Sequence, residues 1–236
     1  MARNKDVAPV RARVIDDALL LRAQELNRDY VELLSLPPAP TDAEVEMLPE
    51  RLVYELTELP AAARMRLTAT PFALYSLGFE DQLLWRFILE DGRVAERDPP
   101  PQERYATFSS ASTAFCEVAL FFAWHAAVAN RVAARMLFAM PDTLAERIVR
   151  TPLWRMRRIA AEFPGLLVPR WPTNPRFWPD LLRFAKAGDW PRLEMTQLLG
   201  SQLTAAELDM AHEEDASGMR RRSRHLEARM RKRRLE

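Results

Sequence analysis

The feature that most constrains the fold is the 25-residue run Ala114 to Phe138, AFCEVALFFAWHAAVANRVAARMLF, the longest and most apolar stretch of the chain. Placed on a helix at about 100° per residue, Phe115, Val118, Ala119, Phe122, Ala126, Ala129, Ala133, Met136 and Leu137 share one face. Leu120, Phe121, Trp124, Val128 and Phe138 lie opposite or at the margins, mixed with Glu117, Arg131 and Arg135. A helix apolar almost all round predicts burial by neighbours on several sides. The expected class is therefore all-α: a compact multi-helix bundle around a central buried helix over about 110–139. A membrane span needs roughly 20 mostly apolar residues. Here Glu117, His125 and Asn130 interrupt the run, with Arg131 and Arg135 close behind, which disfavours a span.

The flanking sequence predicts further helices separated by proline breaks. A first helix is expected from about Val10 to Leu36, on the stripe Ile15, Ala18, Leu19, Leu26, Tyr30 and Leu33, and the PPAP segment at 37–40 stops it. Thr41 and Glu44 form a capping-box pattern; Pro49 and Pro60 begin two short helices. The segment Thr70 to Phe79 is apolar, aromatic and broken by Pro71 and Gly78, and so reads as a buried connection. Glu80 to Glu90 favours helix, the alternative being half of a hairpin turning at Asp91-Gly92. The charged, proline-rich stretch 96–104 marks the best boundary between an N-terminal helical layer, 1–95, and a C-terminal layer, 105–216, the two forming either one domain or a closely packed pair.

Beyond the central run, Leu144, Ile148, Leu153, Met156 and Ile159 mark two short helices. A stiff loop follows, with four prolines and two tryptophans between Pro169 and Pro179. Pro179 then begins a helix closed by Gly188, Asp189 caps another that ends at Gly200, and Thr204 with Glu207 forms a second capping box. Ser217-Gly218 sets off a basic tail over 217–236, expected as a frayed helix or flexible segment.

The tail matters because residues 219–236 hold nine Lys or Arg against two Glu, leaving 25 basic against 31 acidic residues elsewhere. The small net charge of +1 thus conceals a mildly acidic body and a strongly basic end. The tail cations are Arg220, Arg221, Arg222, Arg224, Arg229, Arg231, Lys232, Arg233 and Arg234, which supply sequence-independent attraction to anionic surfaces.

Catalytic and metal signatures are weak. His125, His212 and His225 have no metal-ligand spacing with each other or with Cys116, so no metal, cofactor or catalytic residue is assigned. His125 reads as a hydrogen-bonded core histidine. Six glycines contain no P-loop or Rossmann fingerprint. Two polar arrangements remain. Arg131 and Arg135, with Glu117 and Trp124, form a candidate anion site, weighed against simple ion pairing between helices. Arg170, Trp171 and Trp178 in the Trp-Pro loop form a candidate partner-binding surface, because aromatics and Arg are favoured interface anchors; the competing reading is a lid over one end of the core.

The single cysteine, Cys116, excludes an intramolecular disulfide, and MARNKDVAPVRARVIDD lacks the apolar core of a secretory signal, so a reducing cytoplasm is expected. Arg-over-Lys and Ala-rich usage points to a GC-rich bacterial genome. The function expected is that of a non-enzymatic interaction protein, an adaptor or accessory whose helical body docks a protein partner and whose tail adds electrostatic affinity. The alternatives are a DNA-associated transcriptional regulator using the tail and the C-terminal helices, and an enzyme with a pocket beside the central helix. Homo-oligomerisation is left open.

Overall fold

The computed structural model describes residues 15–36, 48–90 and 110–233, the side chains of Glu90, Ser110, Pro164 and 212–233 excepted. The Thr41–Glu44 capping box, the proline-rich boundary at 96–104 and Arg234 lie outside the described residues.

Ten helices and two very short strands make up these residues, so the class is all-α. In chain order they are α1 (Asp17–Leu34), α2 (Glu50–Thr57), α3 (Ala61–Thr68), β1 (Tyr75–Ser76), α4 (Gln82–Glu90), α5 (Ser110–Ala129), α6 (Arg131–Phe138), α7 (Asp142–Arg150), α8 (Leu153–Glu162), a 3-10 turn (Pro164–Leu166), β2 (Val168–Pro169), α9 (Phe177–Ala187) and α10 (Trp190–Arg233). Proline sets four of the helix starts. Pro49, Pro60, Pro141 and Pro152 stand immediately before α2, α3, α7 and α8 in extended geometry, where a missing N–H leaves no intrahelical bond unmade. At the other end of α9, Gly188 takes the left-handed conformation at φ 68°, and its N–H reaches the carbonyls of Ala185 and Phe184. Ile15 and Asp16 are not helical; α1 begins at Asp17, with the Asp16 carboxylate accepting from the Ala18 N–H, rather than near Val10.

α5 packs on α8, α6, α7 and α1. One continuous cluster of buried apolar side chains runs from Leu19 in α1 to Leu193 in α10, so the N- and C-terminal layers share a core. Its largest members are aromatic: Trp85, Trp178, Tyr30, Tyr75, Phe72, Phe79 and Phe177. Several come from the Thr70–Phe79 connection, which is buried as its composition implies and is pinned in two ways. β1 pairs antiparallel with β2, Tyr75 opposite Pro169 and Ser76 opposite Val168. From the other side, fully buried Asn27 of α1 donates to Thr70 Oγ1 and to the Phe72 carbonyl, both at 2.9 Å, and accepts from the Leu74 N–H at 2.8 Å.

Buried backbone groups left without partners are costly, at about 1–3 kcal/mol each. Asn27→Ala strands the Leu74 N–H, while the Phe72 carbonyl keeps the Thr70 hydroxyl as a donor at 2.6 Å, and the change is expected to lower unfolding free energy by about 1–3 kcal/mol, read from urea denaturation. A loss within about 0.5 kcal/mol, the range of ordinary surface substitutions, would mean that the connection finds its hydrogen bonds elsewhere.

Three expectations are corrected. The central run is two helices, not one: Asn130 leaves helical geometry at φ −160°, and its side chain caps α6 by accepting from Val132 and Ala133 N–H. Gly200 does not end a helix, and neither it nor Ser217-Gly218 breaks α10, which continues to Arg233. The predicted second capping box is also absent, since Thr204 Oγ1 donates back to the Gly200 carbonyl at 3.0 Å and Glu207 is engaged far away in sequence.

Candidate interaction surfaces

The Trp-Pro loop brings its three singled-out residues together, but inside the molecule. Arg170 follows β2 directly and is 2% exposed; Trp178, at the start of α9, is 0% exposed. Trp171 between them is half-buried and sits at φ 50°, a left-handed conformation that costs a bulky residue on the order of 1–3 kcal/mol. Surrounding bonds hold it there. The Arg170 guanidinium donates to the Leu137 carbonyl at 3.1 Å and to Glu207 at 2.6 Å, and its carbon lies 4.6 Å from the centre of the Trp171 ring. Trp171 Nε1 donates to the second oxygen of Glu207 at 2.6 Å, and Trp178 Nε1 donates to the Arg170 carbonyl at 2.7 Å. Arg170 N–H in turn reaches the Leu74 carbonyl at 2.9 Å. The loop therefore ties the buried connection, the end of α6, α9 and α10 into one node. Glu207, the carboxylate at its centre, carries no local sequence signal of that role.

The other predicted cluster is dispersed. Arg131 bonds Glu146 at 2.8 Å and Arg135 bonds Asp142 at 2.9 Å, both across to α7, while Glu117 faces Arg157 of α8 at 3.4 Å. Each charge thus has its own counter-ion, and the three do not converge on a common point. His125 is exposed, not a core residue, because it lies on the outer side of α5.

That outer side is the least expected surface. Cys116, Ala119, Leu120, Ala123, Ala126 and Ala127 are buried and form the inward stripe of α5. Opposite them, Val118, Phe121, His125 and Val128 recur at spacings of three, four and three residues, and so line up along the helix. Val118 is 50% exposed and Val128 49%, Phe121 between them packs partly against the core, and Val132 of α6 is 49% exposed. Among the described residues, the helix over Ala111–Ala129 is the one long and apolar enough to cross a membrane, yet only 33% of its most apolar window is buried. α8, α6, α7 and α1 do pack on α5, as a helix apolar almost all round predicts, but the line Val118, His125 and Val128 is left exposed.

The tail cations from Arg220 to Arg233 lie on the continuous backbone of α10. Elsewhere, α1 and α3 enclose a cleft of about 220 Å³ lined in part by Arg28, Glu32, Arg64 and Met65. Arg64 there is occupied with the carbonyls of Leu59 and Thr57. No group of three or more His, Cys, Asp or Glu among the described residues is placed to hold a metal ion.

Cys116 is fully buried, and burial pushes its thiol up to about 12. Tyr30 and Tyr75 are raised by the same desolvation, Tyr75 further by neighbouring Cys116. The folded state thus holds these protons more tightly than the unfolded chain. Stability is fully present below the ordinary thiol range near pH 9 and falls as pH rises towards 12, by up to about 1.4 kcal/mol per pH unit for each group. Unfolding midpoints measured from pH 8 to 11 should therefore decline, and the native thiol should resist labelling at pH 8. Rapid native-state labelling would contradict the burial that drives the shift.

Comparison with known protein families, curated proteins and solved structures gives no match for this chain.

Proposed function

We propose that this chain is a binding protein whose helical body docks a protein partner on the outer face of α5 and α6, with the basic end of α10 adding electrostatic affinity. The observation that carries this reading is the exposed line Val118, His125 and Val128 on the most apolar helix of the described residues, beside partly buried Phe121, with Val132 at the start of α6 exposed as well. Scattered exposed apolar residues are ordinary on a soluble surface, whereas a contiguous stripe along one helix is a feature of interaction sites. The Glu117–Arg157 pair at the margin of the stripe and exposed His125 within it favour a protein partner over lipid, since charged and titratable groups are expensive in a hydrocarbon layer.

A second reading, a DNA-associated regulator, rests on the nine basic residues of 219–236 and on the continuity of those up to Arg233 with α10. The two separate by affinity capture with three proteins: the full chain, the Val118→Glu/Val128→Glu variant, and a form ending at Gly218. Each is assayed at low and high salt, with and without nuclease. The proposal expects one partner that survives truncation and nuclease and is lost in the double variant. Retention that requires the tail and disappears with nuclease or salt would replace it with the regulator.

A further inference from the structure

Up to Ala211, α10 turns five buried positions towards the body: Leu193, Thr196, Gly200, Thr204 and Ala211. Only Leu193 among them is a large apolar side chain. Its neighbour α9 instead buries Phe177, Trp178, Leu181, Leu182 and Ala185. Since the free energy of opening an element follows the apolar surface it exposes, α10 belongs to the low-stability end of this fold.

Polar bonds close the seam instead. Glu207 accepts from Arg170 and from Trp171 Nε1, each at 2.6 Å. Gln197 donates to the Arg66 carbonyl at 2.9 Å, and Gln82 of α4 donates to the Ala211 carbonyl at 3.0 Å. Beneath the helix lies an aromatic trio, with ring centres 4.7 Å apart for Trp171 and Phe177 and 5.6 Å apart for Phe72 and Trp171. Gly200 stands directly over it: a Cβ there would fall 2.2 Å from the Phe72 ring, so only a residue without a side chain seats the helix this closely.

We infer that α10 is a releasable helix latched at Glu207: loss of its bonds to Arg170 and Trp171 lifts the 196–211 stretch, uncovers Phe72, Trp171 and Phe177, and leaves the rest of the body folded. The device is distinct from the α5 face and does not depend on it. Release also repositions the basic residues that follow on the same helix, which couples the aromatic surface to the charged end.

Native-state hydrogen exchange on the full chain tests this directly. In the unaltered protein, amides of 196–211 are expected to be at least about tenfold less protected than those of 119–127 in α5. Glu207→Ala should lower α10 protection by a further factor of about 10 to 100, the range for a bond to a charged group, with α5 changed far less. Glu207→Gln, which keeps an acceptor for Trp171, should fall between. Equal protection of α10 and α5 in the unaltered protein, or an equal drop in both on substitution, overturns the inference. The first comparison decides even where the alanine variant fails to fold.

Discussion

Replacing Arg170 with alanine is expected to lower the free energy of unfolding by about 3–5 kcal/mol, the usual consequence of removing one partner of a buried ion pair. The guanidinium is 2% exposed; its removal leaves Glu207, with a side chain 16% exposed, on Trp171 Nε1 alone, and takes from the Leu137 carbonyl one of its two donors. Urea denaturation reads the loss. Arg131→Ala and Arg135→Ala serve as controls, because both side chains are partly solvated in their pairs with α7, and each should cost no more than about 1 kcal/mol. A small effect for Arg170, comparable with these controls, would mean that Glu207 reaches water at little cost. Removing Arg170 and Glu207 together should cost less than the sum of the single changes, since no unpaired charge remains.

Trp178→Ala is the second large effect, also about 3–5 kcal/mol, for a different reason. Trp178 is fully buried at the start of α9, beside Phe177 at a ring separation of 5.7 Å. Truncation leaves a cavity and also strands the Arg170 carbonyl, which accepts from Trp178 Nε1 at 2.7 Å. Trp178→Phe fills most of the space and restores no donor. Comparing the two in the same denaturant series separates cavity from hydrogen bond: a near-complete rescue by Phe would assign the whole effect to packing.

The parts of this fold that were legible in the sequence are those written in local chemistry. Proline before α2 and α3, glycine after α9 and the acids just before α4 all act on their own few residues, so their effect is readable without knowing the neighbours. What was not legible depends on partners distant in sequence. Gly200 looks like a stop signal, yet sits mid-helix because Phe72, more than a hundred residues earlier, needs the space of its missing side chain. Glu207 fits a capping box with Thr204, but Arg170 and Trp171 claim it. Arg170, Trp171 and Trp178 read as an exposed anchor because such residues favour interfaces; the same capacity to combine apolar area with donors suits them to an interior node. Asn130 did carry a signal, since asparagine is a strong N-cap residue, but the helix-favouring residues on both sides outweighed it. The outer face of α5 is the converse case. Composition predicts that an apolar helix is covered, and says nothing of whether the cover is part of the same described body.

The Leu137 carbonyl receives the N–H of Ala73 at 2.9 Å as well as the Arg170 guanidinium, so a single acceptor at the end of α6 gathers segments far apart along the chain. Arg170 lies 97 residues from Ala73, 33 from Leu137 and 37 from Glu207, each contact closing a long loop. Closing such loops is entropically unfavourable until the intervening helices have already condensed. The node is therefore expected to form late, so that Arg170→Ala should speed unfolding more than it slows folding, as measured by stopped-flow in urea. In kinetic terms Arg170 is expected to act as a brake on unfolding, lengthening the lifetime of the folded chain more than it hastens its assembly.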